Sequence, residues 1–184
     1  MPQQLRDKPV HADVTDLDRK MMKRAMTLAR QAAAQGEVPV GAVVYRGEEI
    51  IAEGFNLREE SSDPVAHAEL LALSRAGRKL GEWRLNDCTL AVTLEPCPMC
   101  AGAMVNARLG RVIYGAKDPK AGACDSLFGI PTDDRLNHRV EVIGGVMAEP
   151  CGQLLKDFFR ARRKAKKQER AAKSCNCGST SCEG

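Results

Sequence analysis

The sequence predicts a three-layer α/β/α domain around a central five-stranded mixed sheet. Three observations lead to this prediction: an apolar stripe at helical spacing near the N-terminus, two β-favouring runs joined across a glycine turn, and then alternating helical and strand patterns. The later strands are nearly all apolar, as expected for strands that helices cover on both faces. With 184 residues, the chain has the length of one domain with its own core.

The first half of the chain predicts a helix, a hairpin and a second helix. Thr15 suits the N-cap of the first helix, and Gly36 ends its apolar stripe. The runs VPVGAVVY and IIAEGF are the two strands of a hairpin, with Gly47 in the turn RGEE. The polar run NLREESSD is a loop. It leads to a helix for which Asp63 is the predicted N-cap and Pro64 the first helical residue.

The second half continues with three strands and two helices. CTLAVT is the third strand, expected at the centre of the sheet, and CPMCAGAMVNAR and RVIYG are the next helix and strand. A Gly- and Asp-rich loop from 116 to about 137 leads to the fifth strand, VEVIGG, and a last helix spans about 150–172. The predicted organisation is a disordered lead-in (1–14), a single domain (15–172) that ends in a basic helix, and a disordered Cys/Gly/Ser tail (173–184).

The sequence contains no segment that predicts insertion into a membrane. No apolar run approaches the ~18–20 residues of a spanning helix, and the N-terminus lacks the apolar stretch of a signal peptide. We therefore expect a cytoplasmic protein without a membrane partner. Cytoplasmic thiols stay reduced, so the eight cysteines are not expected to form disulfides, and those that stand in groups more often bind metal.

Positive charge is concentrated near the C-terminus. The segment RARRKAKKQERAAK, residues 160–173, has eight Lys or Arg and one Glu, so it carries +7 and leaves −3 of the total +4 for the rest. Such a segment is either a solvated helical face or a surface that binds a polyanion. Charge alone does not separate these two interpretations.

Cys97 and Cys100 stand three positions apart at the start of a predicted helix, so both can hold one ion. The positive end of the helix dipole favours their thiolate forms. A redox pair and half of a four-cysteine structural zinc site are the alternatives. The first lacks a thioredoxin-like context, and the second lacks another Cys-x-x-Cys.

His67 and Glu69 stand near the start of the preceding helix and suggest a division of labour. A spacing of two places side chains about 200° apart on a helix, so they are poorly placed as twin ligands. A core histidine beside a solvated glutamate is the simplest interpretation. Together with Cys97 and Cys100, however, His67 completes the three protein ligands of a catalytic zinc site, which keeps its fourth position for water. Glu69 is then free to transfer the protons of that water.

The pairing of His-Ala-Glu with Pro-Cys-x-x-Cys resembles the zinc-dependent nucleoside and nucleobase deaminases. Over roughly residues 17–165, the chain also resembles the bacterial tRNA-specific adenosine deaminases. The stretches that carry this resemblance are EVPVGAVV, GFN, DPVAHAE, TLEPCPMCAGAM, GAKDPKAGA, LNHRVEV and DFFRARR. It implies a cytidine-deaminase-like domain with one Zn²⁺ per subunit. It also implies a homodimer that converts the wobble adenosine of an arginine tRNA anticodon to inosine.

The same resemblance implies a role for each matching residue. The zinc ligands would be His67, Cys97 and Cys100, and Glu69 would be the proton shuttle. Asn56 would hydrogen-bond the flipped base, and Val40 and Leu94 would form the walls of its pocket. The implied RNA contacts are Asp118 to the ribose, Lys120 to a phosphate, Asn137 and His138 to the substrate strand, and Phe158, Phe159 and Arg160 to the anticodon-loop nucleotides.

Two departures and two other functions stay open at this point. Ser62 stands where many relatives have a histidine, and residues 128–135 lack the histidines often seen there, so the preference for neighbouring nucleotides is uncertain. A deaminase of a free base or nucleoside (guanine, cytosine or cytidine) would use the same zinc motif. A non-catalytic, zinc-stabilised RNA-binding module would have no use for Glu69. We expect Cys175, Cys177 and Cys182 to be free thiols.

Overall fold

A five-stranded mixed sheet forms the middle layer of the protein, as predicted. The computed structural model describes residues 14–175, so 1–13 of the predicted lead-in and 176–184 of the predicted tail, with Cys177 and Cys182, lie outside the described residues. The strands are β1 (Gly41–Arg46), β2 (Glu49–Phe55), β3 (Thr89–Leu94), β4 (Arg111–Ala116) and β5 (Glu141–Ile143). Their order is β2-β1-β3-β4-β5. β1 is antiparallel to both neighbours, and β3, β4 and β5 are parallel.

Helices cover both faces of the sheet and complete the three layers. They are α1 (Asp16–Ala34), α2 (Arg58–Ser61), α3 (Ala68–Leu80), α4 (Pro98–Asn106) and α5 (Ala148–Cys175). The core on one face joins the sheet to α1 and α5, and the core on the other face joins it to α3 and α4. Strand β3 supplies both cores, because Ala91 points to the first and its neighbours Leu90 and Val92 point to the second.

Helix α1 is tied to the sheet by a buried carboxylate. Thr15 and Asp18 form the capping box that begins the helix. Asp18 is 1% exposed and also accepts hydrogen bonds from Tyr45 (2.7 Å) and Arg111 (2.7 and 2.9 Å). Burial would raise the pKa of Asp18, but the hydrogen bonds from Arg111, Thr15 and Tyr45 outweigh it and hold the pKa well below its usual range.

Several predicted boundaries differ from the structure. Helix α3 begins at Ala68 with His67 as its N-cap, not at Asp63. The Asp63 side chain instead accepts from the backbone N–H of Val65 (2.9 Å), and this local turn competes with the helix. The predicted loop before it contains α2, the long loop contains a short 3₁₀ turn (Ile130–Thr132), and β5 is only three residues long.

The terminal helix is longer than predicted. It runs from Ala148 to Cys175, past the predicted end at residue 172. None of the helices in the described part of the chain is long and apolar enough to cross a membrane.

Candidate active site

Two helix starts meet beside the sheet and carry the metal-binding side chains. His67 is the N-cap of α3, and Cys97 is the N-cap of α4, with Pro98 in the first helical position. The start of α3 lies directly against β2, where a Cβ on Gly54 would stand 2.5 Å from the carbonyl oxygen of Ala68. Glycine at this position therefore allows the close approach that places His67. Because His67 precedes the helix in extended conformation, the helical spacing predicted between it and Glu69 does not apply.

The three donor atoms form a triangle with the dimensions of a metal site. Nδ1 of His67 lies 3.7 Å from Sγ of Cys97 and 3.5 Å from Sγ of Cys100, and the two sulfur atoms are 3.6 Å apart. With Zn–S bonds of about 2.3 Å and Zn–N bonds of about 2.0–2.1 Å, a tetrahedral zinc site has edges of roughly 3.5–3.8 Å. All three observed distances fall in that range. The triangle therefore fits zinc with one coordination position left open.

The titration of the two thiols is consistent with this role. The hydrogen bond between the two thiols lowers the pKa of Cys97 to about 4, against the effect of burial and with a contribution from His67. The same hydrogen bond and burial raise the pKa of Cys100. Zinc binds cysteine as the thiolate, so a metal ion held here would displace the thiol protons.

A small pocket of about 150 Å³ opens beside the triangle. It brings together seven of the predicted site residues: Val40, Asn56, His67, Glu69, Leu94, Cys97 and Asp118. Glu69 is 4% exposed, and its burial raises the pKa of the carboxyl group, although its own backbone N–H, His67 and Cys100 act in the opposite direction. Cys100 is fully buried behind the pocket. The pocket therefore contains a metal-binding group, a buried carboxyl group and a side-chain amide within one small volume.

The amide of Asn56 is held by a glutamate that the sequence reasoning missed. Glu37 is fully buried, and its Oε2 accepts from Nδ2 of Asn56 (3.1 Å). Its Oε1 accepts from the backbone N–H groups of Glu59 (2.7 Å) and Glu60 (2.9 Å) at the start of α2. Because Oε2 requires a donor, Nδ2 must face Glu37, which sets the orientation of the amide in the pocket.

A second missed glutamate, Glu95, holds the opposite wall. Its Oε1 accepts from the backbone N–H groups of Cys124 (3.3 Å), Asp125 (2.8 Å) and Ser126 (2.8 Å). Its Oε2 accepts from the backbone N–H of Asp118 (3.0 Å) and from the Ser126 hydroxyl. Burial would raise the pKa of Glu95, but these hydrogen bonds outweigh it and lower the pKa. Glu95 thereby fixes the loop that presents Asp118.

The other predicted contacts lie outside the pocket lining. The backbone N–H of Lys120 donates to the Asp118 side chain (2.9 Å). Asn137 accepts two hydrogen bonds from Arg108, at 2.7 and 2.9 Å. Nε2 of His138 lies 2.7 Å from the carbonyl oxygen of Leu109. Phe158 and Phe159 stack edge to face with ring centroids 5.4 Å apart, and Arg160 pairs with Asp157 (3.3 Å). Their roles toward RNA stay predictions.

In all, the sequence did not predict five residues of the site. Four of them line the pocket: Val38, Arg58, Glu95 and Ala121. The fifth, Glu37, lies behind the lining and holds Asn56. Two of them carried a signal in the sequence. Glu37 directly precedes the apolar run VPVGAVVY, and Glu95 directly follows the apolar strand β3. A charged residue in such a place must find partners if it is buried. The other three carry no such signal.

Comparison with known proteins agrees with this geometry. The sequence model of the MafB19-like deaminase family matches residues 17–163. The tRNA-specific adenosine deaminase of Bacillus subtilis (strain 168) is 49% identical over 153 residues, which cover 83% of this chain and 95% of that protein.

Two solved structures have related folds. A tRNA:A34 deaminase, studied for A-to-I editing at the wobble position of transfer RNA, superimposes with a TM-score of 0.71 at 38% identity, over 74% of this chain and 99% of that one. A guanine deaminase from Bacillus subtilis superimposes with a TM-score of 0.52 at 45% identity, over 53% and 63% of the two chains. From the family match and the identity to curated relatives, the chain belongs to the MafB19-like deaminase family and to the tRNA-specific adenosine deaminases.

Proposed function

We propose that the protein converts the wobble adenosine of a tRNA anticodon to inosine by zinc-dependent hydrolysis. The observation that carries the proposal is the pocket in which the His67, Cys97 and Cys100 triangle, Glu69 and Asn56 meet. Deaminases of this superfamily are generally zinc-dependent. The names of the curated relatives and of the wobble-deaminase structure support tRNA as the substrate.

In this proposal, the protein's own residues bind the base and move the protons. Zinc, when bound by His67, Cys97 and Cys100, supplies a water whose pKa is lowered towards ~7. Glu69 takes a proton from this water and delivers it to ring nitrogen N1 as the water oxygen adds to C6. Glu69 then passes the second proton to the departing amine, and ammonia leaves. The products are inosine and ammonia, so atoms and protons balance.

The shape of the pocket suits one flipped base. Val40 and Leu94 supply apolar walls for its two faces, and Asn56, held by Glu37, supplies an amide for its edge. A target base inside a folded RNA must leave its stack to enter such a pocket. Phe158 and Phe159 supply rings for unpaired neighbours, and Lys120 and Arg160 supply charge for phosphates. An arginine tRNA is the substrate that the family resemblance implies.

The proposal includes one zinc per subunit and a homodimer in the cytoplasm. An apolar groove of about 860 Å³ lies between α3 and α4, lined in part by Leu70, Trp83, Ala103 and Ala107. Trp83 is 56% exposed there. We propose the apolar residues 99–105 of α4 as part of the dimer interface, and the groove, which includes Ala103, supports this pairing. Sedimentation that shows only a 20 kDa species at micromolar concentration would contradict the dimer.

Incubation with unmodified bulk tRNA, followed by nucleoside analysis, tests the central proposal. We expect inosine to appear in the tRNA, and the edited position is then read by sequencing. A matched tRNA with guanosine at the wobble position is the control. Absence of inosine with a zinc-loaded protein would overturn the proposal.

Deamination of free guanine is the second candidate, favoured by the 45% identity to the guanine deaminase over half of this chain. Ammonia release from free guanine, cytosine and cytidine separates the two. We expect none of these to compete with tRNA as a substrate. A purely structural zinc module is disfavoured by Glu69, because a closed site has no use for a buried carboxyl group beside an open position.

A further inference from the structure

Helix α5 continues well beyond the part of the chain that the family model matches. The match ends at residue 163, whereas the helix runs without interruption to Cys175. Every side chain described from Phe159 to Arg170 is exposed. Up to Arg170, this extension contributes nothing to the core, so its composition reflects something other than packing.

The charges of the extension are segregated on one side of the helix. At about 100° per residue, the cations fall within an arc of roughly 200°; these are Arg160, Arg162, Arg163, Lys164, Lys166, Lys167 and Arg170. The opposite side carries Ala161, Ala165, Gln168 and Glu169. A helix stabilised in water by its own ion pairs would interleave opposite charges at positions three and four apart. Segregation of this kind indicates a surface that meets a polyanion along one side.

The start of the extension lies beside the body of the protein, near the pocket. Cys151, Leu154 and Leu155 are the residues of α5 that pack into the core. Arg162 follows Leu155 by about two turns and lies on the same side of the helix. Arg162 lies 3.9 Å from Glu59 in α2, and the neighbouring Arg58 lines the pocket. Among the described residues, Arg160 and Arg162 take part in ion pairs, and the other five cations of the extension do not. We call these five the basic arc; they are Arg163, Lys164, Lys166, Lys167 and Arg170.

We propose that the basic arc contacts the phosphate backbone of the duplex stem that carries the edited loop. This inference rests on the proposed function. No aromatic residue follows Phe159 in the sequence, so the arc has nothing to stack on unpaired bases. A row of lysines and arginines on a straight helix instead suits the regular phosphates of a duplex, which proteins recognise by shape and charge. The rings of Phe158 and Phe159 are left for the loop, one turn before the arc begins.

The test compares two RNAs and two variants of the full-length, zinc-loaded protein. One RNA is an anticodon stem-loop, and the other is the same loop as a single strand without the stem. The first variant combines K164Q, K166Q, K167Q and R170Q. The control variant combines A161Q and A165Q on the opposite side of the helix, and circular dichroism confirms that both keep their helix.

We expect the fourfold variant to bind the stem-loop more weakly, with the slope of log affinity against log salt reduced by about 3.6, because each of the four lost phosphate contacts contributes about 0.9. Its affinity for the single strand should stay within twofold of the unmodified protein, and the control variant should bind both RNAs normally.

Three outcomes would overturn the inference. Equal losses on both RNAs would move the contact to the loop, and no loss on either would make the arc a solvated face. Binding of the unmodified protein to anionic phospholipid vesicles, lost in the fourfold variant while the stem-loop affinity is kept, would assign the arc to a membrane surface. Inosine formation by the unmodified protein is measured separately on the same stem-loop. A failure of the proposed function is thus distinguished from a failure of the stem contact.

Discussion

The pocket and the basic arc both depend on charge, but they use it in opposite ways. In the pocket, Glu37, Glu69 and Glu95 are at most 4% exposed, and each carboxyl group has one location and one set of neighbours. In the basic arc, five cations are exposed and free of ion pairs among the described residues. Buried charges interact strongly because little solvent screens them, whereas exposed charges are screened and nearly interchangeable. Single changes should therefore have large effects in the pocket and small ones in the arc.

The largest effect is expected from loss of the metal site. The double variant Cys97→Ser, Cys100→Ser removes two of the three proposed ligands, whose donor atoms lie 3.5–3.7 Å apart. We expect almost no bound zinc and no detectable inosine formation, because one histidine cannot hold the ion. Metal analysis after dialysis measures the first, and nucleoside analysis measures the second. Full zinc content in this variant would place the metal elsewhere in the chain.

Glu69→Ala should have the next largest effect and should separate chemistry from metal binding. Proton transfer by a positioned group is typically worth about 10²- to 10⁴-fold, and in the proposed mechanism Glu69 transfers a proton more than once in each turnover. We expect single-turnover inosine formation to fall at least ~10³-fold, because no other residue in the proposed mechanism takes over this role. Glu69→Gln should fail almost as badly, since an amide cannot accept the proton of water.

The controls for Glu69 are zinc content and tRNA affinity. Both should stay close to those of the unmodified protein, because Glu69 is neither a ligand nor a phosphate contact in the proposed site. If either variant kept more than a tenth of the rate, the proton-transfer assignment would be wrong. Loss of zinc in Glu69→Ala would show instead that the carboxylate helps to hold the metal.

The sequence predicted those parts of the molecule that depend on local patterns. The α1 stripe and cap, the hairpin and the apolar β3 all follow from spacing and residue type, and the structure confirms them. The metal triangle was predicted because thiol and imidazole groups at helix starts have a distinctive chemistry. The predicted start of α3 was wrong, because Asp63 can either cap a helix or close a turn. Only the surrounding structure decides between these two roles.

Residues that act through distant partners could not be predicted. Glu37 meets Asn56 nineteen residues later, and Glu95 meets Ser126 thirty-one residues later. Nothing in the local pattern around either glutamate names its partner. These contacts come from the sheet order, because β1 and β3 are antiparallel neighbours and the start of β1 lies beside the end of β3 at the pocket.

Glu37→Gln should have an intermediate effect, since Glu37 acts through Asn56. A glutamine presents one acceptor oxygen, but Glu37 accepts from Asn56 on one oxygen and from two backbone N–H groups on the other. The amide nitrogen of the glutamine must therefore face another donor, which costs about 1–3 kcal/mol. If the whole loss reaches the transition state, kcat/KM falls roughly 5- to 150-fold. Single-turnover kinetics on the stem-loop measure it.

A double-mutant cycle with Asn56→Ala distinguishes this role from a general loss of stability. If Glu37 acts by orienting Asn56, the two changes together should cost little more than Asn56→Ala alone. Thermal unfolding of both single variants provides the stability control. Additive losses would show that Glu37 supports the pocket in some other way, for instance through the start of α2.

The smallest effect is expected from substitution of a single cation of the basic arc. Lys166→Gln removes one exposed charge that has no ion-pair partner among the described residues. One phosphate contact contributes about 0.9 to the salt slope, so the slope should fall by that amount while affinity near physiological salt changes only about two- to fivefold. Stepwise addition of K164Q, K167Q and R170Q should lower the slope by similar increments, because screened charges act almost independently. Anisotropy titrations of the stem-loop at four salt concentrations measure the series. If most of the loss in affinity came from one lysine, the arc would contain a specific, partly desolvated contact. Its charges would then act as those of the pocket do, and not as independent, screened charges.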